Sequence, residues 1–152
     1  MNELATSRDF TVAVFVIQHD HVILHPHAKL EIWLPPGGHI DPGELPDEAA
    51  IREVLEETGI AVELMGERGI GVDYPGQPVQ LVRPEGIQLE SITDDHEHID
   101  LIYFARPTSN AVTLPTLRVG MAWVGQGDLP EATLTAEVRD WCNRALATAR
   151  RW

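Results

Sequence analysis

Cysteine is nearly missing from this chain. Cys142 is the only one in 152 residues, which excludes an internal disulfide and suits a reducing compartment. No apolar run approaches the length needed to cross a bilayer, and the polar start from Met1 to Asp9 lacks the basic end and apolar centre of a secretory signal. A soluble, cytoplasmic protein is the expectation. Bases are scarce too: 11 Lys and Arg face 24 Asp and Glu, for a formal charge of −13. Such a surface repels a nucleic-acid backbone and an anionic membrane, so neither is expected as a partner. A small anionic ligand would need cations as intermediaries. Internal repeats, low-complexity tracts and linkers are also lacking. With 43% hydrophobic and 23% charged residues, the composition is that of a globular protein, and the length suits one domain over 1–152.

What is present begins with "FTVAVFVI" (Phe10 to Ile17), β-branched and aromatic, followed across the polar "QHDH" by Val22 to Leu24. The pair predicts a β-hairpin. "IWLPPGGHIDPGELP" then brings four prolines and three glycines into 15 residues, so most of that stretch is expected to be loop. Pro46 suits the first turn of a helix, and good helix formers continue until Gly59 ends it. Further strands are expected near Val62 to Val72, Val79 to Val82, Ile87 to Ile92, His98 to Ala105 and Val119 to Val124. A second helix is predicted over Thr133 to Arg150, with Leu134, Val138, Trp141 and Ala145 forming its apolar stripe. The coarse expectation is an α/β fold, two helices around a mixed sheet.

Charge in the first helix region is lopsided. Between Gly38 and Ile60 stand Asp41, Glu44, Asp47, Glu48, Glu53, Glu56 and Glu57 against Arg52 alone, six of the thirteen net negative charges. With Glu53 at zero and about 100° per residue, Glu57 falls near 40° and Glu56 near 300°, so three carboxylates share one arc. Val54, Thr58, Ile51 and Leu55 fall between roughly 100° and 200° and are expected to face the core. Ala49 and Ala50 on the acidic arc are small enough to leave room for a ligand. Like charges this close raise one another's pKa, and one arginine does not neutralise three of them. An oxygen-rich donor set of this kind suits a hard divalent ion, Mg²⁺ or Mn²⁺ before Zn²⁺.

The order of these residues is more specific than a charged helix face. Gly38, five residues, Glu44, seven residues and then Arg52-Glu53-Val54-Leu55-Glu56-Glu57-Thr58-Gly59-Ile60 resembles, position for position, the box that defines the Nudix hydrolases. The box covers 23 residues, and softer resemblance runs from "WLPPGG" to Trp123. It implies an α/β/α sandwich of the Nudix type, hydrolysing a nucleoside diphosphate linked to a further group, with Mg²⁺ or Mn²⁺ as cofactor. It also implies Glu53, Glu56 and Glu57 as metal ligands, the carbonyl of Gly37 or Gly38 as an additional one, Arg52 as the residue orienting a carboxylate, and Glu44 as a supporting acid. In the family the proton acceptor is sometimes a box glutamate and sometimes an acid elsewhere; Glu97 is the outside candidate. Strand alternation places Glu97, Ile99, Leu101 and Tyr103 on one face and His98, Asp100, Ile102 and Phe104 on the other. An exposed strand-end acid is the plainer reading of Glu97.

Other positions carry weaker signals. The pairs His25-Pro26-His27 and His96-Glu97-His98 have the types for a zinc or copper site, but alternate positions on a strand edge more often carry solvated imidazoles. Trp33 and Trp123 are expected in the core. Tyr74 and Arg83, in a turn-rich stretch, are the candidates for touching base or phosphate. Pro75 matches the spacing of some ADP-ribose hydrolases and Tyr74 that of dinucleoside polyphosphate hydrolases, so the two do not choose between substrates. The resemblance favours nucleoside tri- or diphosphates, since the added N-terminal region common in ADP-ribose hydrolases and the accessory motifs of coenzyme A and NADH pyrophosphatases are missing. Two rivals stand beside the hydrolase. One is a non-catalytic nucleotide-binding module, for which eroded glutamates are expected; the other is an isoprenoid diphosphate isomerase, which needs an active-site cysteine. A homodimer is common in the family, although no stretch of this chain announces an interface.

Overall fold

The computed structural model describes residues 5–131 and 133–152; the first four residues of the polar amino-terminal stretch lie outside that range. Two long strands form its spine. β1 (Ser7–Gln18) and β7 (His96–Pro107) run parallel, in register from Ser7 opposite His96 to Val16 opposite Ala105. β1 also pairs antiparallel with β2 (His21–His27) through the expected hairpin, and with β4 (Gly37–His39), where Val12 lies opposite Gly38. β7 carries β6 (Gly86–Thr93) along its first part and β5 (Val62–Met65) along its last, both antiparallel. β2 holds β3 (Ile32–Leu34) and β8 (Ala122–Gly125). The mixed sheet is sandwiched between α1 (Pro46–Thr58) and α2 (Ala136–Ala149).

Alternation along the two central strands builds two cores. Val12, Val14, Val16, Tyr103 and Ala105 pack beneath α1 with Ala49, Ala50 and Val54. Phe15, Ile17, Ile102 and Phe104 face α2 and meet Val138, Cys142, Ala145 and Leu146. Trp33 packs against the second core and Trp123 against the first, as expected of core aromatics.

Several elements depart from the sequence expectation. The strand predicted over Val62 to Val72 ends at Met65, because Gly66, Gly69 and Gly71 all take positive φ and break an extended run. Val79 to Val82, between prolines, keeps only the isolated bridge from Val82 to Arg68. β8 begins at Ala122 rather than Val119, after a turn in which Met121 N–H donates to the Arg118 carbonyl and Gly120 has φ 95°. The proline-rich segment is mostly loop but holds the short strands β3 and β4. In the last helix Thr135 caps the start by accepting from the Val138 N–H, so Leu134 lies just before it; Cys142 and Leu146 join the buried stripe, while Trp141 is half-buried and donates to Gln88.

The first helix is rotated relative to its expected orientation. Ile51 and Leu55 are exposed, at 38% and 47%, while Ala49 and Ala50 are fully buried. Two adjacent alanines let the helix backbone approach the sheet closely, which moves the buried stripe toward the acidic arc. The alanines therefore fill space under the helix rather than leaving room for a ligand, and Glu53 and Glu57 turn toward β4. Gly59 ends α1 with φ 79°, its N–H donating to the Leu55 carbonyl.

Candidate active site

β4 and α1 bring the two ends of the box together. Gly37 has no room for a side chain, since a Cβ there would stand 2.1 Å from the Val12 carbonyl oxygen. A Cβ on Gly38 would instead stand 2.6 Å from Glu53 Oε1. The missing side chain at Gly38 is thus the space in which the Glu53 carboxylate lies.

Arg52 is the hub of the acidic group. Its guanidinium donates to Glu44 through two nitrogens, at 2.7 and 2.8 Å, and through Nη1 to Glu53 at 3.0 Å and Glu56 at 3.1 Å. Nη2 also donates to the His39 carbonyl at 3.0 Å and lies 3.6 Å from Asp41. The forked pairing to Glu44 is the strong geometry for arginine and carboxylate; it raises the Arg52 pKa and holds the Glu44 carboxyl below its usual range, helped by the Asp41 N–H. Glu44 and Glu53 are largely shielded and Glu56 is mostly open to solvent. Glu57 has no share of the arginine. Burial, followed by the charges of Glu53 and Glu56, pushes its carboxyl up to about 7, with the Gly37 N–H working the other way.

This donor set fits a divalent ion. Glu53, Glu56 and Glu57 supply carboxylate oxygens with one guanidinium among them, and Gly38 lets its strand approach Glu53 without obstruction. A cation would offset the repulsion that raises Glu57. Asp47, counted in the sequence with the acidic group, is not part of it. It is buried, with one oxygen accepting the Glu48 N–H and the other the Val82 N–H, so it ties the 66–85 loop to the start of α1.

The remaining expected site residues lie apart from the box carboxylates. Glu97 is on the α1 face of β7 as alternation required, but its carboxylate is held by Arg8 at 2.9 Å. In the register of the sheet it lies four residues along and two strands over from Gly38, roughly 16 Å by strand spacing. Tyr74 and Arg83 are exposed on the 66–85 loop, with Arg83 paired to Glu67 at 2.8 Å. A cleft of about 710 Å³ opens beside the box; Arg8, Phe10, Ile40, Glu44, Pro46 and Leu101 are among its walls. Among the described residues, Arg8 is the one Lys or Arg in that wall. The β-branched run starts at Phe10 and leaves Arg8 outside the expected strand, and only the longer pairing with β7 makes Arg8 a strand residue. His25 and His27 pair with β3, whereas His98 meets His39 and Asp9, an association across three strands that spacing does not reveal.

Carboxylates gathered on one helix around a single arginine, beside a glycine strand in a mixed sheet between two helices, form a candidate cation site on an α/β sandwich. The family model for the NUDIX domain matches residues 7–144, and the chain belongs to the Nudix hydrolase family. A NUDIX-family hydrolase from Clostridium perfringens has the same fold, with TM-score 0.78 and 34% identity, covering 94% of this chain and 99% of that one. The chain is also 31% identical, over 80% of its length and 70% of the relative's, to a Bacillus subtilis protein provisionally named an 8-oxo-dGTP diphosphatase. It is 35% identical to the mouse 8-oxo-dGDP phosphatase NUDT18 over 69% of this chain, and the match spans 33% of that protein. The reaction class, hydrolysis of a pyrophosphate link in a nucleoside di- or triphosphate or a nucleoside diphosphate derivative, follows from family membership.

Proposed function

We propose that Glu53, Glu56 and Glu57, with the Gly38 carbonyl, hold Mg²⁺ or Mn²⁺, and that the substrate is a nucleoside tri- or diphosphate. The observation that carries this reading is the placement of the Glu53 carboxylate in the space left by Gly38, with Glu57 beside it and unshared by Arg52. When bound, the ion supplies positive charge between carboxylate and phosphate oxygens and makes a coordinated water more acidic. Arg52 keeps Glu44, Glu53 and Glu56 in fixed relation, so that the carboxylates are already oriented before substrate arrives. Water attacks phosphorus in line, the new P–O bond forms as the anhydride P–O bond breaks, and a carboxylate accepts the proton. Glu57 is the natural acceptor because the arginine does not hold it; Glu97, paired with Arg8, is the outside alternative.

The substrate class draws on the names of the relatives, one provisionally named for 8-oxo-dGTP and the other named for 8-oxo-dGDP. Tyr74, exposed on the 66–85 loop at the spacing found in dinucleoside polyphosphate hydrolases, supports dinucleoside polyphosphates as the second reading. Tyr74 and Arg83 are the loop positions for base or phosphate contact, and Arg8 is the cation lining the cleft. Complete box glutamates support turnover over a purely binding role. Burial of Cys142 in α2 argues against the isomerase. No helix among the described residues is long and apolar enough to cross a membrane; a cytoplasmic location and a homodimer complete the proposal.

The test is a screen of nucleoside triphosphates, diphosphates, 8-oxo-purine counterparts, sugar nucleotides and dinucleoside polyphosphates with Mg²⁺ and Mn²⁺, followed by hydrolysis in labelled water. Turnover that needs the divalent ion and vanishes in Glu57→Gln supports the assignment. Undiminished turnover in that variant overturns it.

A further inference from the structure

A second group of ligating side chains lies on the other face of the sheet from the box carboxylates. Asp9 on β1 stands opposite His98 on β7, while Thr11, two residues on, stands opposite both His39 on β4 and Asp100 on β7. Residues directly opposite in a ladder share a face, as do alternate residues of one strand. Asp9, His39 and His98 therefore all project on the side where Ile102 and Phe104 meet α2, beyond the end of that helical cover. Their ligand atoms lie within 4.8 Å of one another. Asp9 Oδ2 is 3.2 Å from His39 Nε2, and the His39 and His98 rings meet edge-on with centroids 5.0 Å apart.

The surroundings are those of a ligand set rather than of one ion pair. Asp9 Oδ2 is also 3.3 Å from His96 Nε2, whose other nitrogen meets Ser7 Oγ at 2.8 Å. This leaves the carboxylate oriented by a neighbour outside the trio, as ligating carboxylates are. Two imidazoles and one carboxylate make a borderline N,N,O donor set, unlike the all-oxygen box, and they suit Zn²⁺ better than Mg²⁺.

We propose that Asp9, His39 and His98 form a cation site for Zn²⁺ or a similar borderline divalent ion, separate from the box carboxylates, with His96 positioning Asp9. Three protein ligands leave at least one coordination position for water or for an external oxygen. The site ties three strands together at the point where β4 delivers Gly38, and the His39 carbonyl is the one that Arg52 Nη2 contacts. An ion there fastens the end of β4 to β1 and β7. The inference does not depend on the substrate or mechanism proposed above.

The experiment is a Zn²⁺ titration of the untagged chain by calorimetry in excess Mg²⁺, with Co²⁺ as a visible-absorption probe of nitrogen ligation. It is run on the natural chain, on Glu53→Gln/Glu57→Gln and on Asp9→Asn/His98→Gln. One Zn²⁺ per chain is expected in the first two, with a rise in Tm; affinity falls on the order of a hundredfold in the third, and about tenfold in His96→Gln. The same Tm for all variants without zinc shows that each folds. Should a variant not fold, ring NMR signals of the natural chain supply the readout, with zinc expected to shift His39 and His98. Binding lost in Glu53→Gln/Glu57→Gln but kept in Asp9→Asn/His98→Gln, the absence of any bound zinc, or zinc that leaves both rings unshifted would each overturn the site.

Discussion

The Glu53 carboxylate occupies the place that a side chain on Gly38 would take, with Oε1 2.6 Å and Oε2 2.8 Å from an ideal Cβ at that position. Gly38→Ala must push Glu53 aside, and a shift of an ångström in a reacting group costs on the order of a hundredfold in rate. The variant is expected to fold with nearly unchanged Tm and to lose about that much kcat. Its neighbour behaves differently. A Cβ on Gly37 meets the Val12 backbone oxygen at 2.1 Å, which has no side-chain freedom with which to yield, so Gly37→Ala loses about 2–3 kcal/mol of stability through β1 and β4. Thermal melts beside steady-state kinetics separate the two, and equal loss of stability in both would contradict this account.

Arg52→Lys keeps the charge but not the fork. Lysine has no planar pair of donors with which to hold Glu44 at two points while also reaching Glu53, Glu56 and the His39 carbonyl. A fall in kcat of about tenfold to a hundredfold is expected, accompanied by weaker Mg²⁺ affinity in a titration. Kinetics matching the natural chain would show that the fork is dispensable.

Asp47→Ala tests whether charge within the box sequence means membership in the site. Asp47 is buried and accepts from the Glu48 and Val82 backbone N–H groups. Its removal leaves these donors without their partner, at a cost of about 1–2 kcal/mol, and loosens the 66–85 loop. Denaturant midpoints should fall while metal affinity stays the same; a large change in Mg²⁺ binding would instead place Asp47 among the metal-holding carboxylates.

Cys142 is expected to resist alkylation in the folded protein. Burial, and secondarily the charge of Glu137, pushes its thiol up to about 12. A raised thiol pKa keeps the protonated, unreactive form dominant throughout the range below that value. Iodoacetamide at pH 8 should leave the native chain unmodified by mass spectrometry and label it fully in urea. Rapid labelling of the native chain would reopen cysteine chemistry as a possibility.

The local elements were legible because their determinants are local. Pro46 and Gly59 bracket α1 almost to the residue, and the alternation of β7 sorted Leu101 and Tyr103 from Ile102 and Phe104 into the two cores as found. Where glycines at positive φ follow an apolar run, as after Met65 and before Ala122, strand propensity was a poor guide, since conformation and not hydrophobicity ends the ladder.

Residue type and helical period were enough to put the glutamates at these spacings on one helical face, with a pair of glycines ahead of them in the chain; that those glycines form a strand was not legible. Which way that face turns depends on how the helix packs on the sheet. Ala49 and Ala50 draw α1 onto the sheet, leaving Ile51 and Leu55 in solvent and directing Glu53 at Gly38. The assembled sheet also fixes that Asp47 serves the fold, that Glu97 answers to Arg8, and that His98 meets His39 across β1. These are relations between strands distant in sequence, set by sheet register, and register is determined by the packing of whole faces rather than by any one residue along the chain.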